Sequence, residues 1–371
     1  MSSSRRSIAW CRARCTVLFA VAILPAALAR AQAPAARAPS TPPPAAAATE
    51  SGGGFLAGEL FSSKGGPIEI RAGSFLLQNA SRTLRYEGNV EATQADTKLA
   101  CDVLTLRYTE DNQIREGTCE GNVKFNSADR VATAGLAELA RERQTITLSK
   151  DVRIWQGENE IRGDRAKIFL AEQRMFVEGA TERPVRTTIQ SNGTSTLDFG
   201  PPELGAAPRA SGAPKAAAKS DPKLPLMVRA ERFDARRNEH VATYTGSVVA
   251  TRGDVTLSCQ ELVIRFDANN KEVDSAMARG GVEIVQTGRS VSADTGDFQR
   301  ANQRVVLTGK PAIARHDKDE LRCQRIEYDQ GRDELRCLGA PSSRVETFVN
   351  SNLGPGGSAP LQVLPSPRGG R

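Results

Sequence analysis

Tyr86-Glu-Gly-Asn-Val-Glu-Ala-Thr-Gln-Ala-Asp-Thr-Lys-Leu-Ala-Cys-Asp-Val-Leu-Thr-Leu-Arg-Tyr108 returns later as Tyr244-Thr-Gly-Ser-Val-Val-Ala-Thr-Arg-Gly-Asp-Val-Thr-Leu-Ser-Cys-Gln-Glu-Leu-Val-Ile-Arg-Phe266, with ten of 23 positions identical and no gap. Identity of this kind marks a duplication rather than shared composition. Beyond it the register slips by a residue or two, yet Gly121-Asn-Val123 still meets Gly280-Gly-Val282, and Glu178-Gly-Ala180 meets Leu338-Gly-Ala340. Self-similarity over a whole domain points to an architecture built by repetition.

Within each copy the hydrophobic period is two. Leu84, Tyr86, Val90 and Ala92 alternate with Arg85, Glu87, Asn89 and Glu91, and Leu262, Ile264 and Phe266 alternate with Val263 and Arg265. Strands that bury one face read this way. Turn-forming residues at short intervals divide the strands: Asp111-Asn112, Gly121-Asn122, Gly157-Glu-Asn159, Gly253-Asp254, Asn269-Asn270, Gly280-Gly281 and Gly331-Arg-Asp333. Only Ala134 to Glu142 has the composition of a helix, and its counterpart is weakened by Thr295-Gly296. The expected fold class is all-β, with each copy an antiparallel sandwich or roll.

The remaining segments are low in complexity or targeting in character. Arg5, Arg6, Arg12 and Arg14 precede an uncharged stretch, and Ala29-Arg30-Ala31 offers a cleavage site, so 1–31 has the layout of a secretory signal peptide. The apolar run is short for a membrane span and is broken by Pro25. Residues 32–58 are an Ala/Pro-rich tether, 191–223 a linker and 350–371 a tail, each with the composition of extended chain. The formal charge is +7, and five arginines lie before the cut, leaving about +2 on the mature protein. Its Lys and Arg alternate with Asp and Glu, which argues against nucleic acid as a partner.

Catalytic patterns are missing. The chain has two histidines and no Gly-x-Ser-x-Gly, Walker-type or His-Glu-x-x-His motif. Asp102 lies in the duplicated strand, but its counterpart is Gln260, so no carboxylate pair recurs in both copies. His240 and His316 sit apart from the cysteines, no Cys-x-x-Cys occurs, and neither a metal site nor a cofactor is expected. Five cysteines follow the signal peptide. Cys101 and Cys119 flank one turn and Cys323 and Cys337 another, so each couple can bridge a hairpin, and Cys259 is left as a buried thiol.

The alternating strand, Gly-Asn-Val, Ala/Cys-Asp pair and Leu-x-Leu-x-Tyr strand together resemble the OstA-like domain of the periplasmic lipopolysaccharide-transport proteins. That family comprises LptA, with relatives in LptC and in the N-terminal part of LptD. The resemblance covers about 66–190 and 225–349. The tandem copies depart from the single unit typical of LptA, and no barrel-sized region follows as in LptD. The resemblance implies two tandem antiparallel β-jelly-roll domains over these spans, each a slightly twisted roll whose sheets splay into a groove for lipid acyl chains, and edge strands that stack end to end.

On that resemblance the groove is lined by Ile70, Leu84, Tyr86, Val90, Leu104, Leu106, Tyr108, Val123, Phe125, Ile146, Leu148 and Ile154. In the second copy the corresponding residues are Val228, Tyr244, Val248, Leu262, Ile264, Phe266, Val282, Ile284, Val305, Leu307 and Ile313. A closed core is the competing reading of the same residues. The edges near Pro67-Ile-Glu-Ile70 and Glu334-Leu-Arg-Cys337 are the candidates for docking. The implied partners are lipopolysaccharide, LptC-like inner-membrane and LptD-like outer-membrane components reached by edge stacking, and a further copy of the chain joined head to tail. The expected function is that of a periplasmic lipopolysaccharide carrier without enzymatic activity. The alternatives are an envelope scaffold that binds no lipid and, more remotely, a carbohydrate-active β-enzyme.

Overall fold

In a computed structural model, the protein is described over residues 67–127, 130–190, 224–268, 273–341 and 344–348. The segments expected as signal peptide (1–31), tethers (32–58 and 191–223) and tail (350–371), and the expected turn at Asn269-Asn270, lie outside these residues. The described chain is all-β, apart from one 3-10 turn at Arg237–Glu239.

The first repeat comprises β1 (Glu69–Arg71), β2 (Ser74–Gln78), β3 (Thr83–Gln94), β4 (Thr97–Tyr108), β5 (Ile114–Ser127), β6 (Arg130–Ala140), β7 (Thr145–Gln156), β8 (Asn159–Phe169), β9 (Arg174–Glu178) and β10 (Val185–Ile189). The second comprises β11 (Leu226–Ala230), β12 (Arg232–Arg236), β13 (Val241–Arg252), β14 (Val255–Phe266), β15 (Val273–Gln286), β16 (Arg289–Gln299), β17 (Arg304–His316), β18 (Asp319–Asp329), β19 (Glu334–Leu338) and β20 (Glu346–Phe348). From β3 to β8, and again from β13 to β18, each strand pairs antiparallel with the next as a meander.

Each long strand is interrupted near its middle. Glu87 pairs with Val103 and Val90 with Cys101, so Gly88-Asn89 oppose Asp102 alone. The same two-against-one count recurs at Gly121-Asn122, Lys150-Asp151 and Gly280-Gly281. These residues have positive φ, +76° at Gly121 and +47° at Asn122, a region that Gly enters freely and Asn tolerates. Gly121-Asn122 and Gly280-Gly281, which the sequence suggests as turns between strands, are therefore β-bulges inside β5 and β15. A bulge bends its strand. The first half of β3 pairs with β2 and the second half with β1, so each long strand gives one half to each of two layers.

Ala134 to Glu142 forms no helix. Its first seven residues are in β6, hydrogen-bonded to β5 and β7 on both sides, and ladder pairing outweighs the modest helical preference of alanine. A bulge also explains the outward turn of Ile313. In β17 three residues, Gly309-Lys-Pro311, stand against one where β7 has two, so the inward parity changes from Val305 and Leu307 to Ala312 and Ala314. Ile313 falls on the other face, half-buried.

The two repeats are joined by strand pairing. β10 bonds to β8 on one side and β11 on the other, and β11 bonds onward to β13. In the other layer β9 bonds to β8 and β12, and β12 to β13. All 20 strands thereby form one hydrogen-bonded system with a continuous apolar interior.

Candidate functional site

Two features combine into the candidate site, the apolar interior and the strand edges that continue it. Of the groove residues expected from sequence, Val90, Leu104, Leu106, Val123, Phe125, Ile146, Leu148, Ile154, Val228, Tyr244, Val248, Leu262, Ile264, Val282, Ile284, Val305 and Leu307 are buried in a single cluster. Ile70, Leu84, Tyr86 and Phe266 are half-buried against it. Tyr108 lies at the end of β4, half-buried, its hydroxyl 3.5 Å from Asn79 Oδ1.

In the first repeat the interior opens into an apolar cavity of about 50 Å3. Leu104, Val123, Phe125, Ile146 and Leu148 line it, together with Leu99, Gly117, Cys119, Ala132, Ala137, Leu139 and Ile168, and Glu138 stands at its rim. Sequence reasoning missed Ala137 and Leu139 because their segment reads as a helix. Once β6 is placed as a strand, their alternation with Leu136 and Glu138 puts them on the inner face.

At the junction of the repeats, the edges show what they can accept. Phe233 of β12 pairs with Val177 of β9, and both are buried. The Phe233 ring lies 4.9 Å from that of Tyr244, whose phenol pKa is pushed up by full burial and whose hydroxyl faces Thr187 of β10. Arg174 of β9 donates two hydrogen bonds to Asp234 of β12, at 2.9 and 2.7 Å. That bidentate, half-buried pair fixes the register across the junction.

The first and last edges carry the same elements uncovered. β1 and β2 bond only to β3, and among the described residues no strand takes their outer sides. Phe75 stacks on Tyr86 at 4.9 Å as Phe233 does on Tyr244, yet Phe75 is exposed, as are Leu76 and Leu77. At the other end β19 and β20 bond only to β18, with Leu338 and Phe348 exposed. The edges anticipated at Pro67 to Ile70 and Glu334 to Cys337 correspond to β1 and β19. Sequence reasoning missed β2, although the apolar run Phe75-Leu-Leu77 between Ser74 and Gln78 was the available signal.

The cysteines belong to this arrangement. The structure bonds Cys101 to Cys119, with Cα atoms 5.9 Å apart, and Cys323 to Cys337, at 5.6 Å. Cys259 is a buried free thiol whose pKa is pushed up to about 11, chiefly by desolvation. His240 ends the 3-10 turn, and His316 ends β17. Among the described residues no group of His, Cys, Asp and Glu could hold a metal ion.

Residues 69–174 and 227–334, together more than half of the chain, match the sequence model of a family described as LptA/(LptD N-terminal domain) LPS transport protein. Among solved structures the chain is similar to LptH, described as the LptA homologous periplasmic component of the conserved lipopolysaccharide transport device from Pseudomonas aeruginosa. Identity is 20%, the match covers 33% of this chain and 95% of LptH, and the TM-score is 0.31. No curated protein matches the chain.

Proposed function

The chain belongs to the LptA/(LptD N-terminal domain) family of lipopolysaccharide transport proteins, and on that premise we propose that it is a non-catalytic periplasmic carrier. In this reading it shields lipid acyl chains and bridges inner- and outer-membrane components through its free edges. The observation that carries the proposal is the junction. Two repeats of one chain extend a common apolar interior by pairing β9 with β12 and β10 with β11, and among the described residues no strand covers the equivalent edges at either end.

The energetics favour such a use. Each methylene removed from water is worth about 0.8 kcal/mol, so the acyl chains of lipopolysaccharide pay heavily for crossing an aqueous compartment bare. A void of about 50 Å3 exceeds the roughly 10–15 Å3 that one water requires but is too small for a whole acyl chain. Loading therefore needs the layers to part beside β6. Its half-buried Ala137 and Leu139 mark where that begins.

A second reading, an envelope scaffold that stacks by its edges and binds no lipid, draws support from the tight packing of the second repeat. A photocrosslinking residue at Leu139, illuminated with purified lipopolysaccharide, decides between them. The carrier gives lipid adducts from this position, whereas the scaffold gives none from Leu139 or from any other inward position in either repeat.

A further inference from the structure

The two repeats are built on equivalent strands, but their interiors are not equally closed. Pairing registers align β6 with β16, since Gly117 opposes Leu139 as Ala276 opposes Phe298, and Cys119 opposes Ala137 as Ala278 opposes Gly296. The residue beside the cavity in the first repeat is thus half-buried Leu139, and its counterpart is Phe298, which is 1% exposed. The neighbour on the same face changes in the opposite sense, from Ala137 to Gly296. A Cβ at Gly296 would approach the Phe298 ring and Leu307 Cδ2 to 3.1 Å. The glycine therefore makes room for a ring that leans across the place where the first repeat keeps its cavity.

Other paired positions show the same asymmetry. Phe125 is 6% exposed and its counterpart Ile284 0%, and Leu148 is 5% exposed and its counterpart Leu307 1%. Interiors pack at crystal-like density, so a ring seated against Gly296 and Leu307 leaves no room for a methylene chain.

Resting on the carrier reading, we infer that acyl chains lodge in the first repeat alone, and that Phe298 plugs a latent equivalent site in the second. The chain then has one loading compartment at its N-terminal end, and the second repeat acts as a closed spacer toward β19 and β20. The specificity-determining positions are Leu139 and Phe298. The ligand class is the saturated hydrocarbon chain rather than the headgroup.

Exchanging the two residues tests this. Leu139→Phe gives the first repeat the plug, and Phe298→Leu gives the second the residue already accommodated at the equivalent place, so both variants keep side chains the fold carries. Equilibrium dialysis with radiolabelled dodecanoic acid reads the number of chains bound. The ring in Leu139→Phe takes the place of about two methylenes of the ligand, which weakens binding by about tenfold. Phe298→Leu raises the capacity of the protein to twice that of the wild type.

Unchanged binding in Leu139→Phe, or unchanged capacity in Phe298→Leu, overturns the inference. A parallel readout places photocrosslinkers at Leu148 and Leu307 with lipopolysaccharide. Adducts at Leu148 exceeding those at Leu307 by about tenfold support the inference, and equal adducts overturn it while leaving the carrier intact. Adducts from neither position, with no dodecanoate retained by any variant, overturn the carrier reading itself.

Discussion

Phe75 and Phe233 occupy the same place in the two repeats and differ only in what covers them, which makes them a controlled pair for testing edge docking. Phe233, opposite Val177, is 4% exposed, whereas Phe75 is 55% exposed. Covering Phe75 to the same degree removes about half of its side-chain surface from water. A phenylalanine buries roughly 200 Å2, so the gain is about 100 Å2, or about 2.5 kcal/mol at 25 cal/mol per Å2.

In the proposed edge stacking, the last edge of a second copy of the chain would be the partner. Cys337 stands in the place of Val177, and in the register of the internal junction Arg71 would face Glu346. Phe75→Ala is therefore expected to weaken head-to-tail association by about sixtyfold, measured by sedimentation equilibrium. Its thermal unfolding should change little. Phe233→Ala leaves a cavity in a packed core at a cost of about 3–5 kcal/mol and should lower Tm on the order of 10 °C. Equal association constants for wild type and Phe75→Ala, or a Tm loss in Phe75→Ala as large as that in Phe233→Ala, would refute the reasoning.

Mass spectrometry of digested, non-reduced protein should show the peptides of Cys101 and Cys119 joined, those of Cys323 and Cys337 joined, and Cys259 free. Native Cys259 should resist alkylation at pH 7.5, because its pKa of about 11 leaves little thiolate. Closing a loop of this length constrains the chain by about 3 kcal/mol, so Cys337→Ser should speed hydrogen exchange in β19 by about two orders of magnitude. Glu320 carries a pH dependence. Bonds from Arg322, and from Arg315 at 2.8 Å, hold its carboxyl below the usual range. A folded-state pKa below the unfolded value of about 4.3 gives stability that is present at neutral pH and lost as pH falls through the folded value. The Tm gap between wild type and Glu320→Gln should accordingly narrow below about pH 4.

The all-β class was legible because one face of each strand is buried, so a period of two survives through Leu84, Tyr86, Val90 and Ala92. The bulges were not legible. Gly121-Asn122 has the same local chemistry whether the chain turns back or merely bends, and only the long-range pairing of β5 with β4 and β6 decides. Parity read along β17 failed at Ile313 for the same reason, since one added residue at Pro311 reverses every side chain beyond it. The joining of the repeats was also hidden. Val185 pairs with Ala230 and Arg174 with Arg236 across a low-complexity segment that carries no strand pattern. The cavity escaped notice because size, not hydrophobicity, separates Leu139 from Phe298.

The two outer edges of the described sheet are not equivalent, and the cysteines show how. Inside the chain β9 is held on one side by β8 and on the other by β12, and there Gly163 lies so close to β9 that a Cβ would come within 2.4 Å of Val177. The equivalent couple at the last edge is Cys323 and Cys337, which fills the same contact with a covalent link. β19 has no counterpart of β12 among the described residues, so the bond does for it part of what strand pairing does for β9. β2 has no such staple and is exposed along its whole length. In the proposed edge stacking, an edge held by a covalent link loses less ordering entropy on association than one without it. At the first edge, a strand pair laid against β1 and β2 in that stacking would cover Phe75 as β9 covers Phe233.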